Sequence, residues 1–251
     1  MTTSSPLHPL LLLADTALPL GSFAFSSGLE SFLGHSKSQH RISATKISAV
    51  DSFIEHSLAN MASTSLPYVL AAYRHPRRLE DLDNDFDAST PCTVARRASV
   101  SQGRALLGVW ERALILSTGQ TEEARKAAET IVLFATTVKA AEKDAFGLPL
   151  NAHFPPLFGC VCAALAISEL DTAYVFLLNH AKAVLSAAVR TSVMGPYQSQ
   201  AILASDRLQV WIRKCIEREQ LKDVEDACVT VPTMDLWMGR HELLYSRIFN
   251  S

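Results

Sequence analysis

Three stretches of the chain carry residue types from which a catalytic or metal site can be assembled. Cys160 and Cys162 stand two apart, but on a helix that spacing turns one side chain about 200° from the other, so both cannot hold one ion. Buried structural thiols are the plainer reading. His241-Glu242-Leu243-Leu244-Tyr245 opens like the helix of a zinc protease, yet Tyr245 occupies the place one turn on where a second histidine ligand is required. His35 and His40 flank a Ser/Lys/Gln loop without a third ligand, and His153 and His180 read as core or boundary residues. Gly-x-x-x-x-Gly-Lys-Ser/Thr does not occur, so the chain has no phosphate cradle of its own. No Ser/His/Asp set stands out among the abundant serines. These residues do not support an enzyme. The competing readings are a helical enzyme working from an apolar pocket and a generic helical scaffold.

The composition narrows the classes further. Of 251 residues, 48% are hydrophobic, 19% are charged and only ten are glycine, a balance that favours helices. A net charge of −2 leaves no basic footprint for phosphate neutralisation, so nucleic-acid binding is disfavoured. Five irregularly spaced cysteines suit a reduced, cytoplasmic protein better than a disulfide framework. Met1 to Leu13 lacks the basic residues of a signal peptide. The apolar run Phe154 to Ile167 is shorter than the ~20 residues that cross a bilayer and contains Pro155 and Pro156, so a buried helix is expected and no membrane partner.

Helical periodicity defines the elements that must position any site. From Ala44, the positions Ile47, Val50, Ile54, Leu58 and Met61 predict an amphipathic helix that Pro67 ends or kinks, followed by a short piece through Tyr68, Leu70 and Tyr73. Residues 74–91 change character: Arg74, Arg77 and Arg78 precede Glu80, Asp81, Asp83, Asp85 and Asp87, and a mobile surface loop is expected. Val94 to Leu116 predicts a helix capped near Gly119, and Thr121 with Glu122 and Glu123 starts the next, which continues towards Lys143. After a proline-bounded connector, Leu157 to Ser168 is apolar nearly all round and so central. Further helices are expected from Asp171 to Gly195-Pro196, through Ala201 to Cys215, and from a Thr233 cap to Ile248. On that last helix Arg240, Leu244 and Arg247 share one face, and Trp237, His241, Tyr245 and Ile248 another. No segment shows strand alternation. The expectation is all-α: one domain over residues 1–251, a helical bundle of about eight to ten helices.

The most ordered local pattern lies at residues 10–33. Pro19 and Gly21 break two apolar segments at a turn from Leu18 to Ser22; beyond it stand Phe23 and Phe25, and Ser26 or Ser27 caps a helix through Leu29, Phe32 and Leu33, with Glu30 at capping-box spacing from Ser27. The order Asp-Thr-Ala-Leu-Pro-Leu-Gly-Ser-Phe-Ala-Phe-Ser-Ser-Gly-Leu-Glu at 15–30 resembles the amino-terminal signature of the UreF family of urease accessory proteins. Two more stretches agree in order: Leu-Ser-Ala-Ala-Val-Arg at 185–190 with Gly195 and Gln200 following, and the ending Met-Asp-Leu-Trp-Met-Gly-Arg-His-Glu-Leu-Leu-Tyr-Ser-Arg-Ile-Phe-Asn-Ser at 234–251. The resemblance runs from about residue 10 to the last residue and is weakest between Tyr73 and Pro91.

This resemblance implies an all-helical, non-catalytic adaptor that forms a homodimer and bridges the UreD/UreH accessory protein to the GTPase UreG, in the complex that loads nickel into apo-urease. No cofactor is expected to bind stably, nickel and GTP acting through the partners, and no catalytic or metal-ligating residue is assigned. By position, Gly21, Ser22, Phe23, Ser26, Gly28, Glu30 and Arg247 form the surface that receives UreG, and Arg240, His241, Glu242, Tyr245 and Ser246, within the segment 232–251, the one that meets UreD/UreH. Phe25 departs from relatives with histidine there, and its carbons cannot ligate a metal.

Overall fold

The computed structural model describes residues 6–38, 46–141, 143 and 147–250. His40 and Ala44 lie outside them. Among the described residues there are twelve α-helices: α1 (Leu7–Ala14), α2 (Leu29–Ser38), α3 (Lys46–Thr64), α4 (Leu66–Arg74), α5 (Leu79–Ser89), α6 (Thr93–Val109), α7 (Glu122–Ala140), α8 (Phe154–Ala164), α9 (Glu169–Arg190), α10 (Pro196–Leu203), α11 (Asp206–Glu219) and α12 (Pro232–Arg240). Extended pairing among those residues is confined to a bridge between Lys143 and Pro149. The expected all-α class holds; short pieces such as α1 and α5 raise the count above about eight to ten.

Helix α8 is the hub, in contact with α4, α5, α6, α7 and α9. It has no charged side chain, and Leu157, Phe158, Cys160, Val161, Cys162 and Ala164 are fully buried. Pro155 and Pro156 sit in its first turn, where the missing N–H groups would have had no helical acceptor. Gly159 lets α4 approach: a Cβ there would lie 2.0 Å from the Val69 carbonyl oxygen. Phe154, Phe158 and Phe176 then pack together between α8 and α9. Helix α9 has the length and apolarity of a membrane span, yet 56% of its apolar window is buried, which marks it as a core helix. Hydroxyl caps start three helices as side-chain chemistry dictates: Thr121 accepts the Ala124 N–H, Ser168 that of Asp171, and Ser205 that of Leu208.

Two sequence expectations are corrected. Residues 74–91 are not a loop: a 3₁₀ turn over Pro76–Arg78 leads into α5. Leu79, Leu82 and Phe86 recur at helical spacing and are buried, and Glu80 and Asp81 favour the first turn. Asp83 points inward as well, its fully buried carboxylate accepting the N–H groups of Asn151, Ala152 and His153 at 2.7, 3.1 and 2.5 Å. The final helix also stops early, α12 ending at Arg240, followed by a 3₁₀ turn over His241–Leu243. A helix to Ile248 would send the last N–H groups to carbonyls four residues back, but those of Ile248 and Phe249 go instead to the Glu30 carboxylate, which also lets the Phe249 ring reach the core.

Candidate partner-docking surface

The turn before α2 is built by backbone chemistry. Gly21 adopts φ +69°, a left-handed conformation that costs little only without a Cβ, and launches a 3₁₀ turn over Ser22–Ala24. That turn drives successive rings apart: Phe23 is 67% exposed, whereas Phe25 is buried at 8%. Gly28 has φ +85°, and α12 crosses directly over it, so a Cβ would come within 3.1 Å of the Met238 nitrogen. Ser26 is the capping serine, its hydroxyl accepting the Glu30 N–H at 3.3 Å. The Glu30 side chain turns towards the carboxyl-terminal tail.

Glu30 is the acceptor on which the tail closes. One carboxylate oxygen takes the Ile248 N–H at 2.7 Å; the other takes the Phe249 N–H at 3.2 Å and lies 2.9 Å from His241 Nε2. The Asn250 N–H then donates to the Ala24 carbonyl at 2.8 Å, so both ends of the chain share one backbone seam. On its outer side Glu242 receives Arg97 of α6 at 2.5 Å and Arg247 at 2.7 Å, and these guanidiniums, Arg97 foremost, hold its carboxyl below the ordinary range. Arg97 also donates to the Asn250 carbonyl at 3.2 Å. Arg190, at the end of α9, lays its guanidinium 4.5 Å from the Phe249 ring centroid and 6.0 Å from that of Phe23.

The two residue sets expected from the sequence therefore meet in one surface. Phe23 and Arg247 are exposed, and Gly21 and Ser22 half-exposed, with Ser22 Oγ donating to Gln102 at 3.0 Å. Ser26 and Gly28 are buried and Glu30 is consumed internally, so these three shape the surface from beneath. Arg240, Glu242, Tyr245 and Ser246 are exposed, whereas His241 is fully buried against Glu30, its Nδ1 without a partner among the described residues. The separation into two helix faces fails because the helix carrying them ends at Arg240. Arg97 and Arg190 read in the sequence only as polar-face residues of their helices, and nothing local marks them or Gln102 as members of this surface.

Beneath the turn lies a cleft of about 250 Å³, lined by Phe23, Phe25, Phe176 and Met238 among others. Ser57 and His180 meet in its wall at 2.7 Å, and burial pushes the imidazole down to about 4, so it is neutral at pH 7. A second set that sequence could not reveal is Ser99, His153 and Asp87, with His153 Nδ1 3.1 Å from Ser99 Oγ and Nε2 3.0 Å from Asp87. Ser99 Oγ already accepts the Phe154 N–H at 3.2 Å and His153 is fully buried, so the three tie α5, α6 and the start of α8 together. Burial pushes the Cys160 thiol up strongly and that of Cys162 to about 12, which leaves both as inert core groups. His35 hydrogen-bonds to the Ser31 carbonyl at 2.8 Å on its own helix. Among the described residues no three His, Cys, Asp or Glu side chains gather closely enough to hold a metal ion.

Comparison with known proteins agrees with the signature residues. The UreF family profile matches residues 45–205, the body between the two segments of the surface. A urease accessory protein UreF-like chain of Schizosaccharomyces pombe, described as uncharacterised, is 37% identical over 244 residues, 97% of each chain. Urease accessory protein F of Oryza sativa subsp. japonica is 30% identical over 94% of this chain and 82% of its own length, and that of Arabidopsis thaliana 28% identical over 95% and 90%. With the profile covering more than half its length and a relative this similar from end to end, the chain belongs to the UreF family of urease accessory proteins.

Proposed function

We propose that this protein is a non-catalytic adaptor of urease maturation, which bridges a UreD/UreH-type accessory protein and a UreG-type GTPase so that nickel is inserted into apo-urease. The observation that carries the reading is the union of the amino-terminal turn and the carboxyl-terminal tail in one exposed surface. Phe23 stands out of it 67% exposed, and Arg247 presents a guanidinium beside Glu242. An exposed ring and an arginine fork are the side chains that most often dominate protein interfaces. The helical body beneath, with α8 at its centre, supplies a rigid platform.

Pull-down of the purified chain with both accessory proteins tests the reading. Phe23→Ala and Arg247→Ala are expected to keep the helical circular dichroism of the parent and to lose co-purification of the GTPase. Undiminished recovery of the GTPase with both variants refutes the reading.

A further inference from the structure

The docking surface has an excess of guanidinium that its own carboxylates do not absorb. Arg97 and Arg247 share a single exposed carboxylate, Glu242. Glu30 is occupied by two backbone N–H groups and His241. Arg190 is exposed and, among the described residues, has no carboxylate partner; its Nε–H donates to the Ser186 carbonyl of its own helix at 3.3 Å. It is held at the junction of both halves of the surface, between the buried Phe249 ring and the exposed Phe23 ring. A cation fixed between rings has lost part of its hydration and rotamer freedom before any partner arrives, which is the preorganisation an interface anchor needs.

The geometry points to Arg190 as a further partner-binding residue, whose fork takes a carboxylate from an acidic loop of the protein that docks on Phe23. This inference rests on the docking reading above. Charge complementarity selects the partner chemistry: with Arg97 and Arg247 half-neutralised by one acid and Arg190 by none, the approaching surface gains by being acidic beside an apolar recess for the Phe23 ring. An acidic protein face fits better than nucleic acid, because the chain as a whole carries −2.

The test measures the affinity of the purified full-length chain for the purified UreG-type GTPase, with the UreD/UreH-type protein present, at low and high salt. Arg190→Gln is expected to weaken binding on the order of ten- to a hundredfold at low salt and to flatten the salt dependence, while Arg190→Lys retains that dependence. Trypsin cleavage after Arg247 should stay as slow as in the parent, since Glu30 still holds the tail. If Phe23→Ala loses the GTPase while Arg190→Gln binds within twofold of the parent, the inference falls and the docking reading stands. Weaker binding by Arg190→Gln with an unchanged salt slope also overturns it, because Arg190 then only supports Phe249. Binding that survives both Phe23→Ala and Arg247→Ala removes the docking reading and this inference with it.

Discussion

Replacing Asp83 by Asn tests the least expected feature of the fold, the inward-facing acid on a segment whose composition suggests a loop. Ala152 adopts φ +60°, which turns three successive N–H groups, from Asn151 to His153, towards one point, and the Asp83 carboxylate fills it. The amide of Asn offers one oxygen to three donors and directs its own NH₂ at the remainder. At least one charge-assisted bond is lost, worth about 1.5–3 kcal/mol, and a buried N–H is stranded at a further 1–3 kcal/mol. One effect opposes this. Burial pushes the Asp83 carboxyl up, so a neutral side chain is relieved of part of the desolvation cost. The stranded donor stays buried and unpaired whatever the charge, so a net loss of roughly 2–4 kcal/mol is expected, a large share of the ~5–15 kcal/mol that stabilises a domain. For a chain of this length that corresponds to a fall in melting temperature of roughly 10 °C. Thermal unfolding followed by far-ultraviolet circular dichroism measures it, with Asp85→Asn, exposed in the middle of the same helix, as the control expected to melt like the parent. A melting temperature for Asp83→Asn within about 2 °C of the parent refutes the three-donor cradle as a stabilising element.

Two more outcomes concern the tail and the cleft. Glu30→Gln removes the charged acceptor of two backbone N–H groups and of His241, a local loss of roughly 2–4 kcal/mol. Trypsin should then cut after Arg247 at least about tenfold faster while the core melts as before, and unchanged cleavage contradicts the role of Glu30. His180 has a folded value of about 4, below its ordinary 6.5, so the unfolded chain takes up the proton first as pH falls. Its contribution is fully present above pH 6.5 and is lost progressively towards pH 4, by at most about 3 kcal/mol. A nuclear magnetic resonance titration of the His180 ring should show a midpoint near 4; one near 6.5 shows that the ring is solvated and that the linkage is absent.

Local pattern and composition were enough for the all-α class, the central place of the helix around Leu157 and Phe158, the Thr121 cap, and the turn at Pro19 and Gly21. Each of these depends on side-chain volume, a missing donor or a missing Cβ, properties that belong to a residue and its near neighbours in sequence. The segment 74–91 misled because its acids outnumber its apolar residues. The spacing of Leu79, Leu82 and Phe86 was legible, but nothing local marks Asp83 as buried when its three donors lie almost seventy residues away. The tail misled for the same reason: helical periodicity continues past Arg240, yet a carboxylate more than two hundred residues earlier captures the N–H groups that would have extended the helix. The segments at 15–30 and 234–251 could be read as important one at a time. Their closure into a single surface, with Arg97 and Arg190 brought in from α6 and α9, depends on hydrogen bonds and ring contacts that exist only once the helices have packed.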